Sequence, residues 1–127
     1  MSDQAEQGII VIVDDEEMVL TSLSAFLELE TEYEVRTFTS AEEALRYVQE
    51  NAVDLVMSDY LMPEMDGISF LARVRDAKPE VPRVILTGYA DKENAIKAIN
   101  EVRVFQYIEK PWDNEMLRRI VGRPLPI

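Results

Sequence analysis

Charged and hydroxyl side chains stand at the ends of several apolar segments in this 127-residue sequence. Asp14 and Asp15 directly follow "IIVIV", and Asp59 ends "VDLVMSD". Two further apolar segments run into Thr87 and into Lys110. In an open α/β sheet, ligands bind in the crevice beyond the carboxyl ends of the strands. If these segments are parallel strands, three carboxylates, a hydroxyl and an ammonium converge on one edge of the sheet.

These groups predict phosphorus chemistry assisted by a metal ion. Three close carboxylates repel one another by several kcal/mol at an effective dielectric constant of ~20, so they need compensation. Mg²⁺ fits, because it binds through few carboxylates and keeps open positions for substrate oxygens. A carboxylate beside Mg²⁺ and the Lys110 ammonium can attack phosphorus and form an aspartyl phosphate. Asp14 and Asp15 alternate in direction and suit direct and water-mediated metal binding. Asp59 stands alone on the central strand and is the predicted nucleophile.

Each of these residues also has a purely structural interpretation. Acidic residues after a strand often cap the next helix, and "DDEE" favours a helix N-terminus. Asp59 could be a turn residue, Lys110 a solvated loop lysine and Thr87 a helix cap. All of these interpretations would have to hold together, each at the end of a different strand, so the coincidence favours one shared site.

Composition excludes other chemistries. The sequence contains no Cys and no His, so a disulfide, a thiolate nucleophile, an imidazole base and a Cys/His zinc site are impossible. Net charge is −12, and residues 1–66 hold 17 acidic and 2 basic residues. An acidic surface repels phosphates, which predicts no direct binding of nucleic acid. The acidity can serve solubility or steer a partner, and both interpretations stay open.

Length and segment composition predict one domain of 9–121 between two short ends. A chain of this length can bury a core that stands alone. The leader "MSDQAEQG" (1–8) has neither an apolar block nor a basic end, so we expect a disordered leader rather than a signal peptide. Apolar runs are too short to span a membrane, and a cytoplasmic location is expected. The ending "GRPLPI" (122–127) is predicted to be a tail or the start of a linker.

Strand-like and helix-like segments alternate five times along the chain. The predicted strands are Ile9–Val13, Tyr33–Phe38, Val53–Ser58, Arg83–Thr87 and Phe105–Ile108. Three of them are nearly continuous apolar runs, as central parallel strands covered on both faces require. Amphipathic helices are predicted around 16–30, after Ser40 as N-cap, after Gly67, in "ADKENAIKAINE" and over 113–121. The alternation predicts an α/β fold, a doubly wound five-stranded parallel sheet with five helices.

Four segments together resemble the receiver domain of two-component response regulators. They are "VIVDDEE", "DLVMSDYLMPEMDG", "VILTGYAD" and "YIEKPW", in this order and spacing, and the likeness covers residues 8–121. The resemblance implies the flavodoxin-like (βα)5 receiver fold. It also implies a signalling domain that catalyses only its own phosphorylation and dephosphorylation.

The resemblance assigns roles around the phosphoacceptor. Asp59 matches the acceptor, Asp15 the direct Mg²⁺ ligand, and Asp14 an acidic neighbour that acts through a metal-bound water. The main-chain carbonyl of Leu61 matches the remaining protein ligand of the metal. Lys110 matches the family's invariant lysine.

The resemblance also implies a switch and a set of partners. Thr87 matches a hydroxyl that turns toward the phosphoryl group, and Tyr107 matches an aromatic side chain that moves inward behind it. The expected phosphoryl donor is a histidine kinase or a phosphotransfer protein, and an output domain or protein is expected downstream. A homodimer stays open, because "VFQYIEK" lacks the small and acidic residues that are common in dimerising DNA-binding regulators.

Two other classes of function compete with the phosphoacceptor hypothesis. A Mg²⁺-dependent phosphatase or phosphotransferase would usually place its attacking Asp at the end of the first strand, with a second Asp two residues later. Here those aspartates are adjacent, and the chain has no room for a substrate cap. A binding module for a nucleotide or flavin would require a glycine-rich phosphate loop after the first strand, and none follows.

Overall fold

A computed structural model describes residues 8–62, 65–88, 93, 96, 106–110 and 112–122. The strands are β1 (Ile9–Val13), β2 (Glu34–Phe38), β3 (Leu55–Asp59), β4 (Arg83–Thr87) and β5 (Gln106–Glu109). The helices are α1 (Glu17–Glu30), α2 (Ala41–Glu50), α3 (Gly67–Ala77) and α4 (Asn114–Gly122). In the described part of the chain, no helix combines the length and the apolar composition that a membrane crossing needs.

The five strands form one sheet in the order β2-β1-β3-β4-β5, and every pair is parallel. This is the flavodoxin-like order, in which the strand order reverses between β1 and β3. Parallel neighbours require crossovers, and α1, α2 and α3 supply those that connect β1 to β2, β2 to β3 and β3 to β4. The predicted doubly wound sheet is therefore confirmed, and all five carboxyl ends lie at the same edge.

Two apolar layers cover the sheet, one on each face. Ile10 and Ile12 pack in the layer that contains α1 and Leu117 of α4. Val11 and Val13 point to the opposite face and pack against α2 and α3. Successive side chains of a strand face opposite sides, so a central strand must be apolar at every position. This explains "IIVIV", because four of its five side chains are completely buried.

Polar side chains cap the N-termini of α2 and α3. The Ser40 hydroxyl accepts a hydrogen bond from the Glu43 amide at 3.3 Å, which confirms the predicted N-cap of α2. Asp66 caps α3, with its carboxylate accepting from the Ser69 amide at 2.8 Å. These bonds satisfy amides that lack partners within the helix.

The boundaries differ from the sequence-based expectation at β2 and β3. β2 starts one residue later than expected, at Glu34. β3 was expected over 53–58 but covers Leu55–Asp59. The Asp54 carboxylate replaces a main-chain partner by accepting from the Ile9 amide at 2.8 Å, so regular pairing starts after it. Asp59 thus belongs to the strand itself, which restrains its direction.

Several predicted segments lie outside the described residues. The helix expected in "ADKENAIKAINE" does so except for Glu93 and Ile96, which are helical and exposed. Residues 1–7 and 123–127 and the start of the expected fifth strand at Phe105 also lie outside.

Candidate functional site

Asp14 occupies the first position after β1 and is completely buried. Its amide donates to the carbonyl of Phe38 at 3.1 Å, which extends the pairing of β1 with β2. Its Oδ1 accepts from the Glu16 amide at 2.9 Å, which holds the turn before α1, although Glu16 and not Asp14 is the N-cap of this helix. Its Oδ2 remains for other contacts. The adjacent Asp15 is exposed.

Asp59 is the last residue of β3 and is only 8% exposed. Its backbone is tightly held. The Ser58 hydroxyl donates to the Asp59 carbonyl at 3.0 Å, and the amide of Tyr60 donates to Leu86 of β4 at 2.8 Å. Gly67 covers the same carbonyl so closely that a Cβ there would lie 2.0 Å from the Asp59 oxygen.

Lys110 joins the two buried carboxylates. Its Nζ lies 3.0 Å from Asp14 Oδ2 and 3.0 Å from Asp59 Oδ1. It also lies 3.9 Å from an oxygen of Glu16. The Lys110 amide donates to the carbonyl of Thr87 at 2.8 Å, which aligns the end of β5 with the end of β4. Lys110 is therefore a bridging cation and not a solvated loop lysine.

Burial at this site favours the neutral forms of the ionisable groups, whereas the ion pairs favour the charged forms. The pKa of Asp59 is raised to about 6, chiefly by burial and also by the charges of Asp14 and Asp15, while the hydrogen bond and charge of Lys110 lower it. Burial also raises the pKa of Asp14, although the Glu16 amide and Lys110 lower it. Burial lowers the pKa of Lys110, but the bonds to Asp59 and Asp14 outweigh this, so the net shift is upward.

The carboxylates form a cluster that suits a hard divalent cation. One oxygen from each of Asp14, Asp15 and Asp59 lies within 4.8 Å of the others. Three carboxylates against the one ammonium of Lys110 leave an excess of two negative charges when all are ionised. Carboxylate oxygens of this number, with an exposed side, match what Mg²⁺ binds in proteins. The donor set therefore fits the metal that the sequence predicts.

The remaining predicted residues surround this cluster less directly. Thr87 ends β4 and is completely buried, and its hydroxyl donates to the Gly88 carbonyl at 3.2 Å. Tyr107 is half-buried on β5 and packs against the layer that contains α2 and α3. Leu61 follows β3 with a side chain that is 56% exposed, so the main chain is the part of this residue that could serve the site.

The sequence patterns predict no functional role for two residues at the site. Glu16 is predicted only as part of a helix start, yet its carboxylate lies 3.9 Å from Lys110 Nζ. Gly67 is predicted only as a helix start, yet it allows α3 to touch the backbone of Asp59. The glycine after Asp66 is the sequence signal that could have predicted this contact, since glycine permits a close approach of two backbone segments.

The order of the sheet and the polar groups at its carboxyl edge are those of a receiver-type signalling domain. Comparison with known proteins agrees, and the chain belongs to the response regulator receiver domain family, which it matches over residues 10–122. This chain is 34% identical to the signal receiver domain of an HD domain-containing protein from Pseudomonas fluorescens Pf-5. The two superpose with a TM-score of 0.85, covering 93% of this chain and 94% of that one.

Two transcriptional regulators are similar to this chain over part of their length. The hydrogenase transcriptional regulatory protein HoxA of Cupriavidus necator is 38% identical over 112 residues, which is 88% of this chain and 22% of that protein. The regulatory protein AtoC of Escherichia coli K12 is 36% identical over 118 residues, which is 93% of this chain and 25% of that protein. The chain thus spans a quarter or less of these curated relatives.

Proposed function

We propose that this receiver domain is a switch that accepts a phosphoryl group on Asp59 from a histidine kinase or a phosphotransfer protein. The observation that carries the proposal is the position of Lys110 Nζ, 3.0 Å from oxygens of both Asp14 and Asp59. This ammonium brings together groups from the ends of β1, β3 and β5. Such a constellation neutralises charge where a phosphoryl group would arrive.

In the proposed transfer, a carboxylate oxygen of Asp59 forms a bond to phosphorus while the bond from phosphorus to the donor breaks. With a phosphohistidine donor, the electron pair of the P–N bond goes to the imidazole nitrogen, which then takes up a proton. With acetyl phosphate, the leaving group is acetate. Lys110 is placed to pair with the oxygens of the transferred group, because Asp59 Oδ1 is already its hydrogen-bond partner.

The acidic cluster is the proposed magnesium site. Asp15 would hold the ion directly, Asp14 through a water, and Asp59 and the Leu61 carbonyl would complete the protein ligands. When bound, Mg²⁺ supplies positive charge that stabilises the phosphoryl oxygens. The negative excess of the described cluster supports this assignment.

Thr87 and Tyr107 are the proposed switch. Phosphorylation adds about −1.5 to −2 charges and new acceptor oxygens. The Thr87 hydroxyl, which now donates to Gly88 at 3.2 Å, would exchange that bond for one to the phosphoryl group. The exchange would supply on the order of 1–3 kcal/mol, enough to shift a population. Tyr107 would then move inward and change the surface near β5.

The proposal extends to the rest of the protein. The greater length of HoxA and AtoC supports an output region joined to a domain of 9–121, with 122–127 as the start of a linker. The acidic surface supports an arrangement in which this domain does not itself bind nucleic acid. The proposal includes a cytoplasmic location, because a histidine kinase takes its phosphoryl group from ATP, which is a cytoplasmic substrate.

Intact-mass measurement tests the central step. Incubation with acetyl phosphate and Mg²⁺ should add one phosphoryl group, which is labile in base, and EDTA should prevent the addition. Asp59→Asn should abolish it, whereas Asp76→Asn, the same change at an exposed position on α3, should not. Phosphorylation of Asp59→Asn to the wild-type level would refute the assignment, and multiple turnover of phosphate esters would favour an enzyme.

The switch needs a separate measurement. Trp112 is the only tryptophan and packs beside the core layer of α1, two residues after Lys110. Its fluorescence should change on phosphorylation. Tyr107→Ala should keep the gain in mass and lose the phosphorylation-dependent output of the full-length protein. An output equal to wild type in Tyr107→Ala would reject the switch.

A further inference from the structure

The outer edge of β2 offers main-chain hydrogen bonds. In the described part of the chain, β2 pairs with β1 alone. The Glu34 amide donates to Gly8 at 2.8 Å, and the Phe38 carbonyl accepts from Asp14 at 3.1 Å, so these two residues face β1. Residues of a strand alternate in the direction of their main-chain groups. Val35 and Thr37 therefore direct their amides and carbonyls toward the free edge.

A groove follows this edge, between β2 and α1. It has a volume of about 580 Å³, and its walls include Thr37 of β2 and Thr21 and Ser24 of α1. Leu20, which is buried, belongs to its floor. A groove of this size can hold several side chains of an extended segment. The free edge and the groove together match the pattern by which peptides add a strand to a sheet.

The groove is acidic. Glu17 and Glu28 both line it and both are exposed, whereas none of its described lining residues is basic. Glu28 is eleven positions after Glu17 on the helix, which corresponds to a rise of about 16 Å. An extended chain rises about 3.3 Å per residue, so basic side chains about four or five residues apart would reach both.

Other occupants fit less well. A second copy of this chain would bring another acidic surface, since each copy carries a net charge of −12. Arg36, the basic residue of β2, is next to the groove in sequence but faces the other side of the sheet, where it pairs with Glu34. It therefore neither fills the groove nor neutralises it.

We propose that the β2–α1 groove binds an extended, basic segment of a partner protein, which pairs with Val35 and Thr37 and places two basic side chains near Glu17 and Glu28. The groove uses none of the residues assigned to phosphorylation, so the proposal does not rest on the proposed function. It describes a second interaction surface with its own chemistry.

Peptide binding to the full chain tests this surface. The probe is the fluorescein-labelled peptide TKVTVKT, and its acidic counterpart is TEVTVET. Fluorescence anisotropy should show binding of the basic peptide with a Kd below about 1 mM, and of the acidic peptide at least tenfold more weakly. The double variant E17Q/E28Q should bind the basic peptide about tenfold more weakly than wild type. Glu42→Gln, an exposed charge change on α2, should leave the affinity unchanged.

A backbone variant separates strand addition from charge attraction. Thr37→Pro removes one outward amide, and an edge strand tolerates proline where the amide is not paired. This variant should lose at least fivefold in affinity while circular dichroism stays native. If it does not fold, the E17Q/E28Q comparison decides alone. Absence of binding at 1 mM, equal affinity for both peptides, or groove variants that instead abolish self-association in sedimentation would each overturn the proposal.

Discussion

Two aspartates seven residues apart experience opposite surroundings. Asp66 is exposed and lies where the helix requires it, accepting from the amide and hydroxyl of Ser69 at 2.8 and 3.2 Å. Asp59 is buried, and among the described residues its carboxylate is paired with Lys110 alone, beside two other carboxylates. Local hydrogen bonds fully account for the first, whereas the second is held where its charge is unfavourable.

The difference in burial and pairing supports the proposal that Asp59, and not Asp66, accepts the phosphoryl group. A residue that stabilises its own surroundings needs no further explanation. A carboxylate that burial drives to a pKa of about 6 is a candidate for function, because the fold maintains it at a cost. The same contrast separates Asp14 from Asp113, whose exposed carboxylate simply accepts from the Glu115 amide at 2.9 Å.

The largest effect is expected where α3 touches the backbone of Asp59. Gly67→Ala should lower the free energy of unfolding by about 3 kcal/mol, because the new Cβ would meet the Asp59 carbonyl at 2.0 Å and Ile85 at 2.8 Å. Urea denaturation measures this. Gly88→Ala is the matched control, since nothing lies within 4 Å of a Cβ there, and it should change stability by less than about 0.5 kcal/mol. Equal effects at both glycines would contradict the close contact.

Removing the charge of Asp59 should stabilise the metal-free protein. The folded-state pKa is raised from 3.8 to about 6, so the folded state binds a proton more tightly than the unfolded state. The stabilisation from this proton is complete below about pH 4 and is lost as pH rises through 6. The free energy of unfolding of Asp59→Asn, minus that of wild type, should therefore be about 2–3 kcal/mol larger at pH 7 than at pH 4, both measured with EDTA. If the stability difference between Asp59→Asn and wild type did not depend on pH, the Asp59 charge would not be held unfavourably, and the contrast with Asp66 would fail.

Magnesium binding should depend on pH in the same range. The proton on Asp59 must leave before its carboxylate can bind the ion, so apparent Mg²⁺ affinity should fall about tenfold between pH 7 and pH 5. Titration of Trp112 fluorescence with MgCl₂ measures the affinity. In Asp59→Asn the remaining affinity should be weak and should lose this part of the pH dependence. A wild-type affinity that stays constant down to pH 5 would count against Asp59 as a ligand.

The smallest effect is expected at the helix cap. Asp66→Ala should destabilise the domain by about 1 kcal/mol through loss of the N-cap bond, and Asp66→Asn by much less, because asparagine also caps helices. Both variants should still accept a phosphoryl group from acetyl phosphate. Denaturation midpoints and intact mass provide the two measurements. Loss of phosphorylation in Asp66→Asn would show that the two aspartates are not independent.

The alternation of elements and the composition of the site could be read from the sequence. Apolar runs such as "IIVIV" and the Ser40 cap are local signals, and they predicted the strands and the start of α2 correctly. The grouping of Asp14, Asp59 and Lys110 followed from the rule that parallel strands share one carboxyl edge. Strand boundaries were predicted less accurately from the sequence. At the expected start of β3, for example, the Asp54 side chain accepts from the Ile9 amide, and regular strand pairing begins only after it.

Only the tertiary structure decided how these groups meet. Lys110 is 96 residues from Asp14 in sequence, and no local pattern states that their charged atoms lie 3.0 Å apart. Asp14 is completely buried while adjacent Asp15 is exposed, and their types alone do not distinguish them. The raised pKa of Asp59 and the free edge of β2 likewise depend on strand order and on packing between distant segments. Periodicity is a property of neighbours along the chain, whereas distance and burial are properties of the assembled sheet.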